Sequence, residues 1–307
     1  AGCFKEASFA QYEDDVPKTR QNNIIPVQID VTDDTSVQRC FETVSKWIAH
    51  GGSIKNQEPA KTRYLYALIN NAGMAGSVGY TDWYTMSDFE TPMNVNYYGV
   101  IRVTKAFLPI LKDQAIQDAA KNNDKSGLGG TTKVINIVSV AGYLRGIGGA
   151  PYYASKHAAE SLSASLRYEL RKWKIQVVTV NPSVHETPLA KSTEQGAIQM
   201  WNRLSPKMKE DYGQDVYDEF YRNFTDAVAT FMWNPKVVTD EVCHCVQTRY
   251  PSSQLIVGSD AKYLISLMML FPTWLQEWVI SKSVETHAQP AAMKIGNKSH
   301  TRKSKHE

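Results

Sequence analysis

Val134-Ile135-Asn136-Ile137-Val138 runs straight into Ser139, and thirteen residues later Pro151-Tyr152-Tyr153-Ala154-Ser155-Lys156 opens a helical segment. The apolar run is continuous enough to be a strand buried on both faces, as in a parallel sheet. Tyr152 and Lys156 stand four residues apart and so share one face of their helix. A phenol titrates near ~10 in water, too high to exchange protons usefully at neutral pH. A positive charge at roughly 5 Å, in an effective dielectric of about 20, is worth on the order of 3 kcal/mol, or about two pKa units toward neutrality. That is how a tyrosine becomes a working acid/base. The spacing alone is common, and a packing tyrosine beside a solvated lysine is its bland alternative.

Outward from this stretch, strands and helices alternate. Ile24 to Ile29 reads as a strand, followed by Asp30-Val31-Thr32-Asp33-Asp34 as an acidic helix start. Val37, Cys40, Phe41, Val44, Trp47 and Ile48 fall at helical spacing. A second strand, Tyr64 to Ile69, runs into Asn70-Asn71-Ala72-Gly73. A helical pattern from Thr91 to Leu111 is interrupted at Asn94-Val95-Asn96 and Gly99. Gly51 to Arg63 and Gln114 to Thr132 read as polar surface insertions. Further strands are expected at Ile175–Val180 and Leu255–Val257, with a helix at Val237–Arg249 between them. Such alternation means a doubly wound, Rossmann-like α/β parallel sheet.

The chain has 307 residues, 42% of them apolar and 21% charged, with a formal net charge of +3. That length buries a substantial core, and the near-balanced charge argues against nucleic acid as a partner. Cys3, Cys40, Cys243 and Cys245 make no disulfide framework. Cys243-His244-Cys245 lacks a second ligand cluster, so no metal is expected.

Asn70-Asn71-Ala72-Gly73, Asn96, Ser139, and Tyr152 with Lys156 together resemble the short-chain dehydrogenase/reductase signature, in order and spacing. The resemblance covers residues 1–261, expected as one Rossmann-like domain. It looks closest to the membrane-associated retinol and hydroxysteroid dehydrogenases, through Ala1-Gly2-Cys3-Phe4 and the stretch from Val257 to Leu264. It implies hydride transfer between a nicotinamide ring and a carbon bearing a hydroxyl or carbonyl. Tyr152 would exchange the proton with the substrate oxygen, and Ser139 would steady that oxygen. Lys156 would lower the tyrosine pKa and hold the nicotinamide ribose, and Asn96 would hold a water linking Lys156 to solvent. Asp30 and Val31 would meet the adenine, and Asn71, Ala72 and Gly73 would line the crevice. Pro182 and Thr187, matching a Pro-Gly-x-x-x-Thr pattern, would cup the nicotinamide.

Tyr153 lacks the spacing to Lys156, His157 and His185 read as neighbours, and Asn94 reads as structural. Ser183 replaces the pattern's glycine, which is strained if positive φ is required there. The Gly-rich phosphate-binding turn, with its strand and helix, has no counterpart ahead of Ala1-Gly2-Cys3-Phe4. The expectation is therefore a sheet incomplete at the N-terminus, in a fragment whose native start lies further upstream. Cys3-Phe4-Lys5 offers neither an acid for a ribose hydroxyl nor an arginine for a phosphate, so NAD is preferred over NADP.

Residues 189–234 would form a substrate lid. Its Met200, Trp201, Leu204, Met208, Tyr212, Tyr217, Phe220 and Tyr221 suit a hydrophobic alcohol or carbonyl, retinoid-, steroid- or lipid-like. Residues 262–307 read as an apolar segment and a basic, disordered tail. The apolar part, Tyr263 to Ile280, carries two tryptophans. It suits a membrane surface, with packing on the lid or on a second copy in a homodimer as alternatives. Lys303-Ser304-Lys305-His306-Glu307 resembles a dilysine retrieval signal. The expected location is the endoplasmic-reticulum membrane, otherwise the cytoplasm. The rival to an enzyme is a non-catalytic scaffold on a decayed dehydrogenase fold.

Overall fold

Strand β4 (Lys133–Ile137) is buried except at its last residue, as its unbroken apolar run requires, and the main sheet is built around it. The computed structural model describes residues 2–3, 25–49, 64–122, 131–230, 232–284 and 287–294. β3 (Ala67–Asn70) pairs with β4 from Ala67↔Lys133 to Asn70↔Asn136. β5 (Gln176–Pro182) pairs on its other side from Lys133↔Gln176 to Ile137↔Val180. β6 (Gln254–Val257) completes the order β3-β4-β5-β6, with every pairing parallel. β1 (Gly2–Cys3) and β2 (Val27–Gln28) form a separate parallel pair. Among the described residues, β3 is an edge of the larger sheet.

Alternate β4 residues serve opposite faces, as a strand's period of two dictates. Val134 packs with Val103, Phe107, Leu111, Leu170 and Val177. These come from α3 (Gly99–Asn122) and α4 (Ala150–Leu170) as well as β5, with Val37 and Cys40 of α1 (Asp34–Ala49) beside them. Ile135 faces the other way, onto Val178, Val180, Val257 and Cys245 of α8 (Lys236–Gln247). Helices thus cover both faces, the doubly wound arrangement expected.

Several boundaries differ from the sequence pattern. The strand expected over Ile24–Ile29 reduces to Val27–Gln28, with Ile24 outside the described residues. The helix before Asn94 begins at Met86, not Thr91, because Thr85 and Asp88 form a reciprocal capping box. That helix, α2 (Met86–Met93), passes through a π-turn at Asn94–Tyr98 into α3. The insertion expected from Gln114 is helical as far as Asn122. Its polar residues are internal partners: Gln114 Nε2 donates to Asp118 Oδ1 at 2.8 Å, and Asp118 accepts from Thr131 and Thr132 at the start of β4. A buried carboxylate with three donors looks polar in sequence and is core in space.

After β5 come α5 (Pro188–Arg203), α6 (Pro206–Tyr212) and α7 (Gln214–Thr230), where the lid was expected. Beyond β6, a π-turn at Asp260–Ile265 and a short turn at Ser266–Met268 lead to α9 (Thr273–Val284). Tyr263, Leu264, Leu267, Leu270, Trp274 and Trp278 are all exposed. The chain then returns to α7, where Glu219 accepts from the backbone N–H groups of His287 and Ala288 at 2.7 and 2.6 Å. Among the described residues no helix is long and apolar enough to cross a membrane. The insertion at 51–63 and the retrieval signal at 303–307 lie outside the described residues.

Candidate active site

Parallel strands place their ligand sites beyond their C-terminal ends, and the candidate residues gather there. Ser139 follows β4, Asn71, Ala72 and Gly73 follow β3, and Pro182 ends β5. Ser139 Oγ accepts from the Ala141 N–H at 3.1 Å and donates to the Pro182 carbonyl at 3.3 Å. Tyr152 sits in the first turn of α4, whose start is favoured by Pro151 at a position where a missing N–H costs nothing. Lys156, one turn on, is 5% exposed. Its Nζ lies 5.7 Å from the Tyr152 ring centre and donates to the Ile137 carbonyl at 3.4 Å.

Desolvation dominates the electrostatics of the pair. Burial pushes the Tyr152 phenol up from its ordinary value, and the neighbouring Ser139 hydroxyl pulls against it. Burial also pulls Lys156 down to about 8, so the ammonium keeps its charge at neutral pH against a desolvation cost. Desolvation outweighs attraction because both groups leave water together. Tyr153 is likewise raised by burial, and Gly146 and Gly149 close against its ring. His157 Nδ1 pairs with the Tyr153 carbonyl and His185 Nδ1 with that of Ser183, both at 2.9 Å. Neither histidine hydrogen-bonds Ser139, Tyr152 or Lys156.

Asn96, 2% exposed in the π-turn, has both amide donors in use. Its Oδ1 accepts from the Met74 N–H, and its Nδ2 donates to the Met74 carbonyl and Ser155 Oγ, each at 2.9 Å. It ties the loop after β3 to the Tyr152 helix. Asn94 is structural as read, accepting from Arg102 Nη1 at 2.8 Å while the same guanidinium reaches the Val31 carbonyl.

Asp30 Oδ1 accepts from the Thr32 N–H and hydroxyl at 2.8 and 2.7 Å, which fixes the turn, and Val31 rests against Gly99. Asn71, Ala72 and Gly73 are exposed at the strand end. A Cβ on Gly73 would stand 3.4 Å from Asn96 Oδ1 and 3.5 Å from Lys156 Nζ, so the glycine leaves a cradle facing the ammonium. That ammonium has three donors and one carbonyl partner. The cradle and the spare donors fit the hydroxyls of a nicotinamide ribose. Thr187 caps α5 by accepting from the Ala190 N–H at 3.3 Å. Ser183 does not adopt positive φ, so the strain considered for it does not arise; it donates instead to Asp260 at 3.0 Å.

Where the lid was expected, Met200, Trp201 and Phe220 pack with Val78 and Trp83, and with Leu204, Met208, Tyr212, Tyr217 and Tyr221 around them. The sequence reading missed the loop 76–84 as the other half of this cluster. Gly79, Gly148 and Gly196 were its only signal, since each touches a neighbour where a Cβ would stand. Tyr84 was missed as well. Its hydroxyl accepts from the Gly79 N–H and donates toward the Gly148 carbonyl, at 2.9 and 2.8 Å, joining the two loops. Among the described residues no group of His, Cys, Asp and Glu could hold a metal ion.

Comparison with known proteins gives a consistent picture. The family model described as short chain dehydrogenase matches residues 5–197. The 3beta-hydroxysteroid dehydrogenase dhs-16 of Caenorhabditis elegans is 28% identical over 297 residues, 95% of this chain and 70% of that protein. Retinol dehydrogenase 5 of Mus musculus is 30% identical over 272 residues, 86% of this chain and 74% of that protein. A short chain dehydrogenase/reductase from Burkholderia phymatum, solved with NAD, has a TM-score of 0.61 at 20% identity, covering 87% of this chain and 81% of that one. A short chain dehydrogenase from Burkholderia cenocepacia, solved with NADP, has a TM-score of 0.57 at 18% identity, covering 93% and 85%. At such identities the two structures speak for the fold.

Proposed function

The chain belongs to the short-chain dehydrogenase family of NAD(P)-dependent oxidoreductases, and from that premise we propose that it interconverts a hydrophobic alcohol and its carbonyl. The relatives that carry retinol and hydroxysteroid names, together with the aromatic lid, support a retinoid- or steroid-like substrate. The observation that carries the reading is the gathering of Ser139, Tyr152 and buried Lys156 at the C-terminal ends of parallel strands, with Lys156 Nζ on the Ile137 carbonyl and 5.7 Å from the Tyr152 ring centre. A scaffold that no longer catalysed would have no reason to keep a buried ammonium with spare donors in that place.

A bound nicotinamide dinucleotide supplies the hydride acceptor or donor. Lys156 and Tyr152 would hold its ribose, Asp30 and Val31 its adenine, Asn71, Ala72 and Gly73 its flank, and Pro182 and Thr187 its nicotinamide. NAD is the preferred form, because Cys3-Phe4-Lys5 has no arginine for a phosphate. Ser139 turns its hydroxyl from the Pro182 carbonyl to the substrate oxygen, while the Ala141 N–H keeps the Oγ in place. Tyr152, held in its acid form by burial, donates its proton to a carbonyl oxygen directly. Alcohol oxidation needs the phenolate, so its rate rises with pH.

The test is a panel of all-trans-retinol, a 3β-hydroxysteroid and cyclohexanol with NAD and NADP, and Tyr152→Phe as control. Turnover that falls about 10²–10⁴-fold in the variant is expected. Wild-type rates in Tyr152→Phe would overturn the mechanism. Absence of NADH and NADPH fluorescence quenching would favour the scaffold. The exposed apolar surface from Tyr263 to Trp278 supports a second reading, a seat on a membrane surface.

A further inference from the structure

Glu160 lies one turn beyond Lys156 on α4 and is 7% exposed, yet proton transfer makes no use of it. Among the described residues it has no ion-pair partner. Its Oε1 accepts from Thr179 Oγ1 at 3.2 Å and from Gln254 Nε2 at 2.9 Å, donors on β5 and β6. Its Oε2 is fully buried without a hydrogen-bond partner. Burial, then the nearby Glu160 carboxylate, pushes the Tyr143 phenol up. A buried carboxylate held only by neutral donors costs stability and is retained where its position matters.

The position leads back to Ser139. Tyr143 accepts from Asn181 Nδ2 at 3.3 Å, and the same Nδ2 reaches Thr179 Oγ1 at 3.2 Å. Asn181, fully buried, turns its Oδ1 to the Ser139 N–H at 3.3 Å. The next residue, Pro182, supplies the carbonyl that receives the Ser139 hydroxyl. Gly142 completes the seat: a Cβ there would stand 3.1 Å from the Lys156 carbonyl oxygen and 3.4 Å from Glu160 Cβ. The turn from Ser139 to Tyr143 therefore rests on the Lys156–Glu160 turn of α4.

We propose that Glu160 is a positioning residue for Ser139, acting through Thr179 and Asn181 with Tyr143 beside them. This rests on Ser139 and Tyr152 being the reacting pair. Glu160 holds the Thr179 hydroxyl, that hydroxyl and the Tyr143 phenol set which way the Asn181 amide lies, and Asn181 holds the Ser139 backbone so that its hydroxyl meets Tyr152. A serine displaced by about 1 Å loses on the order of 10²-fold in rate.

The experiment compares Tyr143→Phe and Glu160→Gln, singly and in a Ser139→Ala background. Turnover uses the best alcohol of the panel above, and amide exchange across 139–142 is followed by mass spectrometry. Each single variant is expected to lower kcat about tenfold or more, with KM for NAD within about twofold. In the Ser139→Ala background neither should lower kcat further, whereas a general loss of stability would. Exchange at Ser139 should quicken in both variants and stay unchanged in the β5 peptide. Wild-type exchange at Ser139 in both, or losses that multiply in the Ser139→Ala background, would overturn the proposal. If Glu160→Gln fails to fold, Tyr143→Phe alone decides. An exchange response in a protein without turnover would sink the oxidoreductase reading and leave the link between Glu160 and Ser139 standing.

Discussion

The floor of the crevice and its roof are built on opposite principles. On the floor, Asn96, Asn181, Ser139 and Lys156 are positioned by hydrogen bonds from the loop after β3, from β5 and from α4. In the roof, Trp83, Trp201, Tyr217 and Phe220 are placed by shape. The Trp201 and Tyr217 rings stack at 4.6 Å, and Trp83 meets Phe220 edge-on at 5.7 Å. Even the Trp83 indole N–H is buried without an acceptor. A floor residue cannot shift without leaving a buried polar group unpaired. A roof residue can be exchanged for another of similar volume at small cost. The difference teaches that the residues proposed for chemistry are held by directional bonds, whereas those proposed to meet the substrate are held by packing that can adjust.

Removing Lys156 would break that comparison most sharply. Its folded pKa is about 8, while the unfolded lysine keeps its ordinary 10.5. Between those values the unfolded chain holds a proton that the folded one has shed, so stability rises with pH through the window. Below pH 8 the folded state carries the full cost of the buried cation. Lys156→Met should therefore lose about 10²-fold or more in turnover while gaining about 1–3 kcal/mol of stability at pH 7. Urea denaturation at pH 7 and pH 10 checks this, and an equal gain at both values would contradict it.

Smaller effects are expected in the roof. A Cβ on Gly79 would come within 2.7 Å of the Trp83 ring and 2.9 Å of Met200, and one on Gly148 within 2.9 Å of Phe220 at a φ of +91°. Gly79→Ala and Gly148→Ala should each cost about 1–3 kcal/mol in overpacking. KM for a bulky alcohol should rise, and the pH profile of kcat should stay where it was. A shifted profile would show that roof and floor are not separable. Smallest of all, Trp274→Ala with Trp278→Ala removes rings that are 68% and 58% exposed. Stability should move by no more than about 0.5 kcal/mol, as for surface sites. Co-sedimentation with phosphatidylcholine/phosphatidylserine vesicles should fall, and a wild-type chain that did not sediment would end the membrane reading.

Much of the floor was legible in the sequence because its chemistry uses few residue types at close spacing. Tyr152 and Lys156 share a helix turn, and Val134–Val138 announces a buried strand, so local periodicity sufficed. Asp118 was read as surface because a charged side chain in a polar, Gly-rich stretch signals a loop. Only the fold brings Thr131 and Thr132 to it. Glu160 and Asn181 were passed over for the same reason. A lone Glu in a helix and an Asn before Pro carry no spacing signal until Thr179 and Tyr143 stand between them.

Sequence alone determined the parallel α/β architecture and the family, and it singled out the residues proposed for proton transfer, since these rest on periodicity and short-range spacing. Tertiary structure decided their electrostatic state. How far Lys156 and Tyr152 depart from their ordinary titration depends on how much water reaches both. That is a property of the walls packed around them, which no stretch of sequence contains.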